Sequence, residues 1–380
     1  MAMNNSPLPP ARYIRTNKQL LRLASELASE PMLAIDTESN SLYAYRERVC
    51  LIQLSTRQAD YIIDPLEIMD LSPLAPLLAD EKIEKVFHAA EYDLMTMKRD
   101  FGFTFRNLFD TMIAARTCGY KNIGLGTLLA EIVGVKIDKR HQRDNWGKRP
   151  LPHESLVYAQ MDTHYLPHLR DFFHARLTEL NRWEETREAF ADLAEIPAAV
   201  NGFDAEGYWR IAIPNHLTQR QSAILREVYL LRENIAHERD TPTFKVFSDK
   251  MLLNIATSTP RTLDDLAAIG IPAIQIRRFG KALLNAVQRG LESKPPRPPE
   301  PEPAADPVVV ERYTALREWR KERAARRGVE SDVIVSKDAL WALAEKAPAN
   351  IEEMRDVRGL GPWRLKQYGS EILDVIKRHK

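Results

Sequence analysis

The chain has 380 residues, 44% apolar and 28% charged, with a formal net charge of +1. Its length calls for two or three domains. No run approaches eighteen consecutive apolar residues, which argues against a helical membrane span, and "MAMNNSPLPPARYIRTNKQ" lacks the apolar core of a secretory signal. Two cysteines, Cys50 and Cys118, leave no basis for a disulfide framework or a cysteine-zinc site and suit a reducing cytoplasm. With the charge so balanced, a nucleic-acid surface would have to come from local concentration of basic residues.

In chain order, a short helix is expected around 17–29, then a strand over 32–38. "VCLIQLS" and "DYIIDP" read as further short strands, close enough in sequence to be antiparallel neighbours. "KVFHAA" reads as a fourth strand and "NLFDT" as a fifth; "TLLAEIV" and most of 151–193 read as helix. Strands interleaved with helices predict a mixed α/β sheet with helices on both faces.

From Leu217 onward only helical periodicity survives. Residues 246–269 match 334–357 at a constant offset of 88, with Leu252 on Leu340, Ile255 on Leu343, Leu266 on Met354 and Pro260 on Pro348. After one inserted residue, Gly270 and Gly280 fall on Gly359 and Gly369. The pattern predicts two copies of one small all-α domain. Between them, "SKPPRPPEPEPAADP" has seven prolines in fifteen residues, a semi-rigid spacer. The expected division is 1–200, 210–292, a linker over 293–307, and 308–380.

The run "PMLAIDTESN" ends in two carboxylates, Asp36 and Glu38. Side chains two apart on a strand share a face, ~6–7 Å apart, and repel if buried unpaired. A hard dication with carboxylate ligands removes that cost. A D-x-E pair alone is a weak signal: Asp204 and Glu206 repeat it beside glycines with no strand before them, as in a solvated turn. Position at a strand's C-terminal end favours Asp36 and Glu38, because open α/β sheets bind ligands there.

Asp93 follows in "VFHAAEYDL", in the first turn of a helix, where any acid is favoured by the helix dipole. In "SLVYAQMDTHYL", Tyr158 and Asp162 are four apart and share a helical face. Each has an ordinary structural reading by itself.

Taken together, D-x-E on a strand, an Asp at a strand-to-helix junction and Tyr-x-x-x-Asp near the domain's end resemble the DEDD exonuclease superfamily in its tyrosine subclass. "IQLSTRQADYIIDPL", "KVFHAAEYDL" and "KIDKRHQRDNWGKRPL" are similar to the ribonuclease D family, and the repeated helical domains resemble HRDC modules. The second repeat departs from the first in lacking the Thr-Pro of "RDTPTFKVFSD". The resemblance implies a ribonuclease H-like α/β exonuclease domain followed by two HRDC-like domains. It implies hydrolysis of RNA from a single-stranded 3′ end, release of nucleoside 5′-monophosphates, tRNA precursors as substrates, and no obligate protein partner. Two divalent cations, Mg²⁺ or Mn²⁺, would be held by Asp36, Glu38, Asp93 and Asp162. In that scheme Asp36 bridges both, Glu38 and Asp162 help hold one, and Asp93 holds the other partly through water. Tyr158 would orient the attacking water, since a phenol of pKa ~10 is a poor base at neutral pH. A DNA 3′–5′ exonuclease and a non-catalytic RNA-binding scaffold remain alternative readings.

Three further expectations concern other residues. The loop "DKRHQRDNWGKRP" interleaves basic residues with an aromatic, so Arg143, Trp146 and Arg149 are candidates for holding a single strand by phosphate pairing and base stacking. Arg320, Arg323 and Arg327 share a helical face that reads as solvated or as RNA-binding. His164 and His168 are spaced i, i+4, but Pro167 interrupts the turn and no H-E-x-x-H is present, so zinc is disfavoured.

Overall fold

The computed structural model describes residues 8–200, 202–300 and 303–379. The start of the expected first domain, two residues of the proline spacer, Asn201 and Lys380 lie outside them.

Among the described residues, six strands form one mixed sheet in the order β1-β4-β3-β2-β5-β6. These are β1 (Arg12–Ile14), β2 (Met32–Ser39), β3 (Val49–Ser55), β4 (Asp60–Ile63), β5 (Glu84–Phe87) and β6 (Leu108–Asp110). β2 runs antiparallel to β3 and parallel to β5. β3 and β4 are the antiparallel neighbours expected from their short separation. The sequence reading omitted β1, a three-residue strand that pairs parallel with β4. "RYI" is too short to carry a periodicity, and its pairing partner lies about fifty residues away.

The helices of this region are α1 (Asn17–Leu27), α2 (Ala75–Ala79), α3 (Glu91–Phe101), α4 (Thr111–Cys118), α5 (Leu125–Leu128), α6 (His153–His164), α7 (Leu166–Glu179) and α8 (Trp183–Ala194). α1 starts at a capping box, Thr16 with Gln19, and buries Leu20, Leu23 and Leu27 on one stripe. Because side chains alternate along β2, Leu33 and Ile35 pack with Leu77 of α2 and Met97 of α3, while Asp36 and Glu38 meet α6. Helices therefore cover both faces.

The later helices are α9 (Trp209–Ala212), α10 (Gln219–Glu238), α11 (Thr243–Val246), α12 (Asp249–Ser258), α13 (Leu263–Ala268), α14 (Ala273–Glu292), α15 (Pro307–Arg327), α16 (Ser331–Ile334), α17 (Lys337–Lys346) and α18 (Pro362–Arg378). The internal repeat is visible in detail. α12 and α17 begin and end at the same offset, 88. Ser248 and Ser336 cap them by accepting from Met251 and Ala339 backbone N–H groups. Gly270 and Gly359 stand at φ 84° and 86°, a left-handed turn that favours glycine. Arg232 and Arg320 each donate to a carbonyl at the same offset, Phe247 and Val335. Each module has its own apolar core.

By internal contacts the chain forms two compact units. One joins the first helical module to the segment Asn40–Arg48; the other joins the sheet and its helices to the second module. Within the latter, α8 supplies two carboxylates to the second module. Glu185, fully buried, accepts two hydrogen bonds from Arg327. Glu188 accepts from the backbone N–H of Gly361 and Trp363, at the start of α18, and from Arg364.

This pairing corrects the reading of the arginine-rich helix. Arg320 bonds Val335 O, Arg323 forks onto Glu371, and Arg327 is spent on Glu185 and Tyr368. Arg320 and Arg327 point into packing contacts, while Arg323 pairs with Glu371 at the surface, about a third exposed.

Candidate active site

β2 is central in the sheet, and its C-terminal end carries a register shift between Glu38 and Ser39. Such bulges re-aim side chains next to functional sites. α6 lies across the same face, with Tyr158 and Asp162 one turn apart and both buried. Carboxylate oxygens of Asp36, Glu38 and Asp162 all lie within 4.8 Å of one another.

Asp93 stands in the first turn of α3, on the side of β2 that carries Thr37, and is not part of that tight trio. The Thr37 hydroxyl donates to its Oδ1. Its charge nevertheless reaches Asp36, Glu38 and Asp162. All four acids of the sequence reading thus converge, three as a cluster and one beside it.

The electrostatics are those of crowded like charges. Burial, then the charges of Asp93, Asp162 and Glu38, raise the Asp36 carboxyl well above its ordinary range. Burial, then the charges of Asp162, Asp93 and Asp144, push Glu38 up to about 9. Asp93 and Asp162 are raised as well, by burial first. Tyr158 is also raised, by burial and then by Asp162, Glu38 and Asp36, so its phenol keeps its proton throughout the neutral range.

This donor set fits hard divalent cations: clustered carboxylate oxygens, each destabilised as an anion, with no cationic side chain among the leading influences on any of them from the described residues. A second observation agrees. Gln53 on β3 pairs with Asp36 across the ladder, so both side chains project from the same face. Gln53 is fully buried, and neither its amide nitrogen nor its amide oxygen has a partner among the described residues. A buried orphan amide is costly, and beside a charged site it is a group awaiting a ligand, a water or a carboxylate.

The candidates for holding a strand fare differently. Trp146 is 1% exposed and packs with its ring centroid 6.2 Å from that of Tyr158, so it offers no face to a base. Arg149 donates to buried Asp64, to Cys50 O and to Trp146 O, which makes it an internal clamp. These two are corrected to structural roles: the loop is anchored by the very groups that looked free. Arg143 remains exposed. His164 bonds Asp60 at 2.8 Å, and the helix breaks at Tyr165, so His164 and His168 do not form a metal pair. Asp204 and Glu206 make a turn, with Asp204 accepting from Glu206 N and Glu206 from the Trp209 indole.

The sequence reading missed Thr37, Gln53 and Asp144. The last hydrogen-bonds Ser155, one turn before Tyr158, and its charge acts on Glu38. Only Gln53 left a signal, as the lone amide in "VCLIQLS".

A carboxylate-rich site at the end of the central strand of a mixed sheet fits a metal-dependent nuclease, and its relatives give its class. The family model described as 3′-5′ exonuclease matches residues 11–178, and that described as HRDC domain matches 221–287 and 310–376. The ribonuclease D of Gluconacetobacter diazotrophicus is 34% identical over 69% of this chain and 66% of its own length. That of Granulibacter bethesdensis is 30% identical over 97% and 93%. The crystal structure of Escherichia coli RNase D, an exoribonuclease involved in structured RNA processing, covers 97% of this chain and 99% of its own at TM-score 0.67 and 26% identity. The chain belongs to the ribonuclease D family. No helix among the described residues is long and apolar enough to cross a membrane.

Proposed function

We propose that this chain removes nucleotides one at a time from the single-stranded 3′ end of RNA, tRNA precursors among them, as nucleoside 5′-monophosphates. Family membership supports the reaction, and the observation that carries the site is the trio of carboxylates within 4.8 Å, each pushed toward its protonated form. Asp36, Glu38 and Asp162, with Asp93 beside them, would hold two divalent cations, Mg²⁺ or Mn²⁺. Bound there, such ions supply a nucleophile at neutral pH and neutralise charge on the attacking and leaving oxygens.

The chain's own groups do the rest. Asp36 belongs to the trio, and of the neighbouring charges that of Asp93 acts on it most, which suits a shared ligand. Tyr158 holds its proton and hydrogen-bonds Asp162, so it serves to orient water and not to take a proton from it. Residues 1–200 are assigned the chemistry; 210–292 and 308–380 are assigned as helical modules joined by 293–307. Cys50 and Cys118 form no disulfide among the described residues, which suits a cytoplasmic location.

The test is digestion of a 5′-labelled 3′-extended tRNA, and of matched single-stranded DNA, with Mg²⁺, with Mn²⁺ and with chelator. Stepwise shortening of the RNA that stops at the structured body, and only with metal, is the expected result. Silence under every condition overturns the reading, and equal shortening of the DNA removes its RNA preference.

A further inference from the structure

The loop 138–150 was the one motif whose chemistry the site left unused once Trp146 and Arg149 proved structural. One group in it is built for contact. His141 ends a short 3-10 turn, Lys139–His141, and its Nδ1 lies 2.9 Å from Asp144 Oδ2. The same carboxylate oxygen accepts from Ser155 Oγ at 2.6 Å.

Ser155, Tyr158 and Asp162 follow one another at i+3 and i+4 on α6, so they share a face. The Asp144–Ser155 bond therefore fixes His141 over the end of α6 whose next turns carry Tyr158 and Asp162. Trp146, two residues past Asp144, packs on Tyr158 and locks the loop from its other side. Asp144 is close enough for its charge to act on Glu38. His141 is thus tethered, through Asp144 and Ser155, to the first turn of the helix that carries Tyr158 and Asp162, by a carboxylate that is not part of the trio.

The chemistry of the imidazole then selects its partner. Asp144 takes the Nδ1–H, so whenever the ring carries a single proton its Nε2 is an acceptor. It has no partner among the described residues, and the side chain is 27% exposed. An acceptor needs a donor. Phosphodiester oxygens have no proton to give; ribose hydroxyls do.

We propose that His141, oriented by Asp144, accepts a hydrogen bond from a ribose hydroxyl of the 3′-terminal nucleotide and so helps select the sugar. This rests on the exonuclease reading above. His141 is then a substrate-contacting residue, and Asp144 a positioning residue acting through it.

The test is a cycle of enzyme and substrate changes under saturating Mg²⁺. Wild type, His141→Ala, His141→Gln and Asp144→Asn are assayed for kcat/KM on one RNA oligonucleotide and on the same oligonucleotide ending in a 2′-deoxy or a 3′-deoxy nucleotide. Wild type should lose about tenfold when the recognised hydroxyl is removed, on the scale of one hydrogen bond. His141→Ala should lose about tenfold on the full RNA and nothing further on the oligonucleotide lacking that hydroxyl. His141→Gln, whose amide oxygen is also an acceptor, should recover part of the loss. Asp144→Asn should shift the same substrate ratio by less. The 2′ and 3′ arms tell which hydroxyl is read. If His141→Ala lowers all three substrates equally, or none, the inference is overturned while the exonuclease reading stands. If wild type cuts none of them, that reading falls first, and this inference with it.

Discussion

The Thr37 hydroxyl donates to Oδ1 of Asp93, 56 residues further along the chain. Thr37 lies between Asp36 and Glu38 but points to the opposite face, so the strand that presents two carboxylates on one side orients a third from the other. That bond, with backbone N–H groups of Thr37 and Asp93, orients the Asp93 carboxylate for a cation or its water. Groups that orient metal ligands are worth 10–100-fold in affinity or activity. Thr37→Val should therefore weaken Mn²⁺ binding, followed by electron paramagnetic resonance titration, by about tenfold, and Thr37→Ser should restore it. Unchanged affinity in the valine variant would show that Asp93 needs no such partner.

Asp36→Asn removes the acid on which the other three charges act most directly. Turnover should vanish while the metal-free protein melts at the same temperature or higher, because one repelling charge has gone. Tyr158→Phe should keep the packing against Trp146 and lower kcat by ~10²-fold, the scale of a positioned proton-transfer group. Full activity in the phenylalanine variant would remove Tyr158 from the mechanism.

The acids also set a pH dependence of stability. Glu38 is raised to about 9, and Asp36, Asp93 and Asp162 are raised too, each by burial first. Unfolded carboxyls titrate near pH ~4. Between those limits the folded chain holds more protons than the unfolded one, so unfolding free energy falls as pH rises. The contribution is full below about pH 4 and is lost as pH climbs toward 9. Melting curves of the chelator-treated protein from pH 5 to 9 should decline. Mg²⁺ should restore stability most at the alkaline end, by about 2.7 kcal/mol at a hundred times its Kd. A metal-free melting temperature that rises with pH through neutrality would contradict these shifts.

Glu185 is fully buried, and Arg327, which forks onto it, is 20% exposed. Removing one member of a buried pair strands the other, at a cost of about 3–5 kcal/mol. Arg327→Ala should lower unfolding free energy in urea by that order, and adding Glu185→Ala should recover part of it. Independent, additive losses would mean the two do not act as a pair.

Gln53 buries both polar atoms of its amide without a partner among the described residues. Gln53→Leu should make the metal-free protein more stable by about 1–3 kcal/mol, the cost of an unmet buried group. It should weaken Mn²⁺ binding at the same time. Gain without that loss would make Gln53 a packing residue only.

Much of this chemistry is local and therefore readable in one dimension. Asp36 and Glu38 share a strand, and Tyr158 and Asp162 share a helix, so periodicity alone puts each pair on one face. The helical repeat is legible for the same reason: Ser248 and Ser336, and Gly270 and Gly359, meet the same backbone demands at the same spacing. β1 escaped because three residues hold no period.

What the linear order could not reveal is which long-range partner a polar group finds. Trp146 and Arg149 look like RNA contacts until Tyr158 and Asp64 are seen to occupy them. Arg327 looks solvated until Glu185 closes on it. A basic or aromatic side chain has the same composition whether it faces water or a buried carboxylate, and only the packed fold decides between them, because desolvation and pairing act across space and not along the chain.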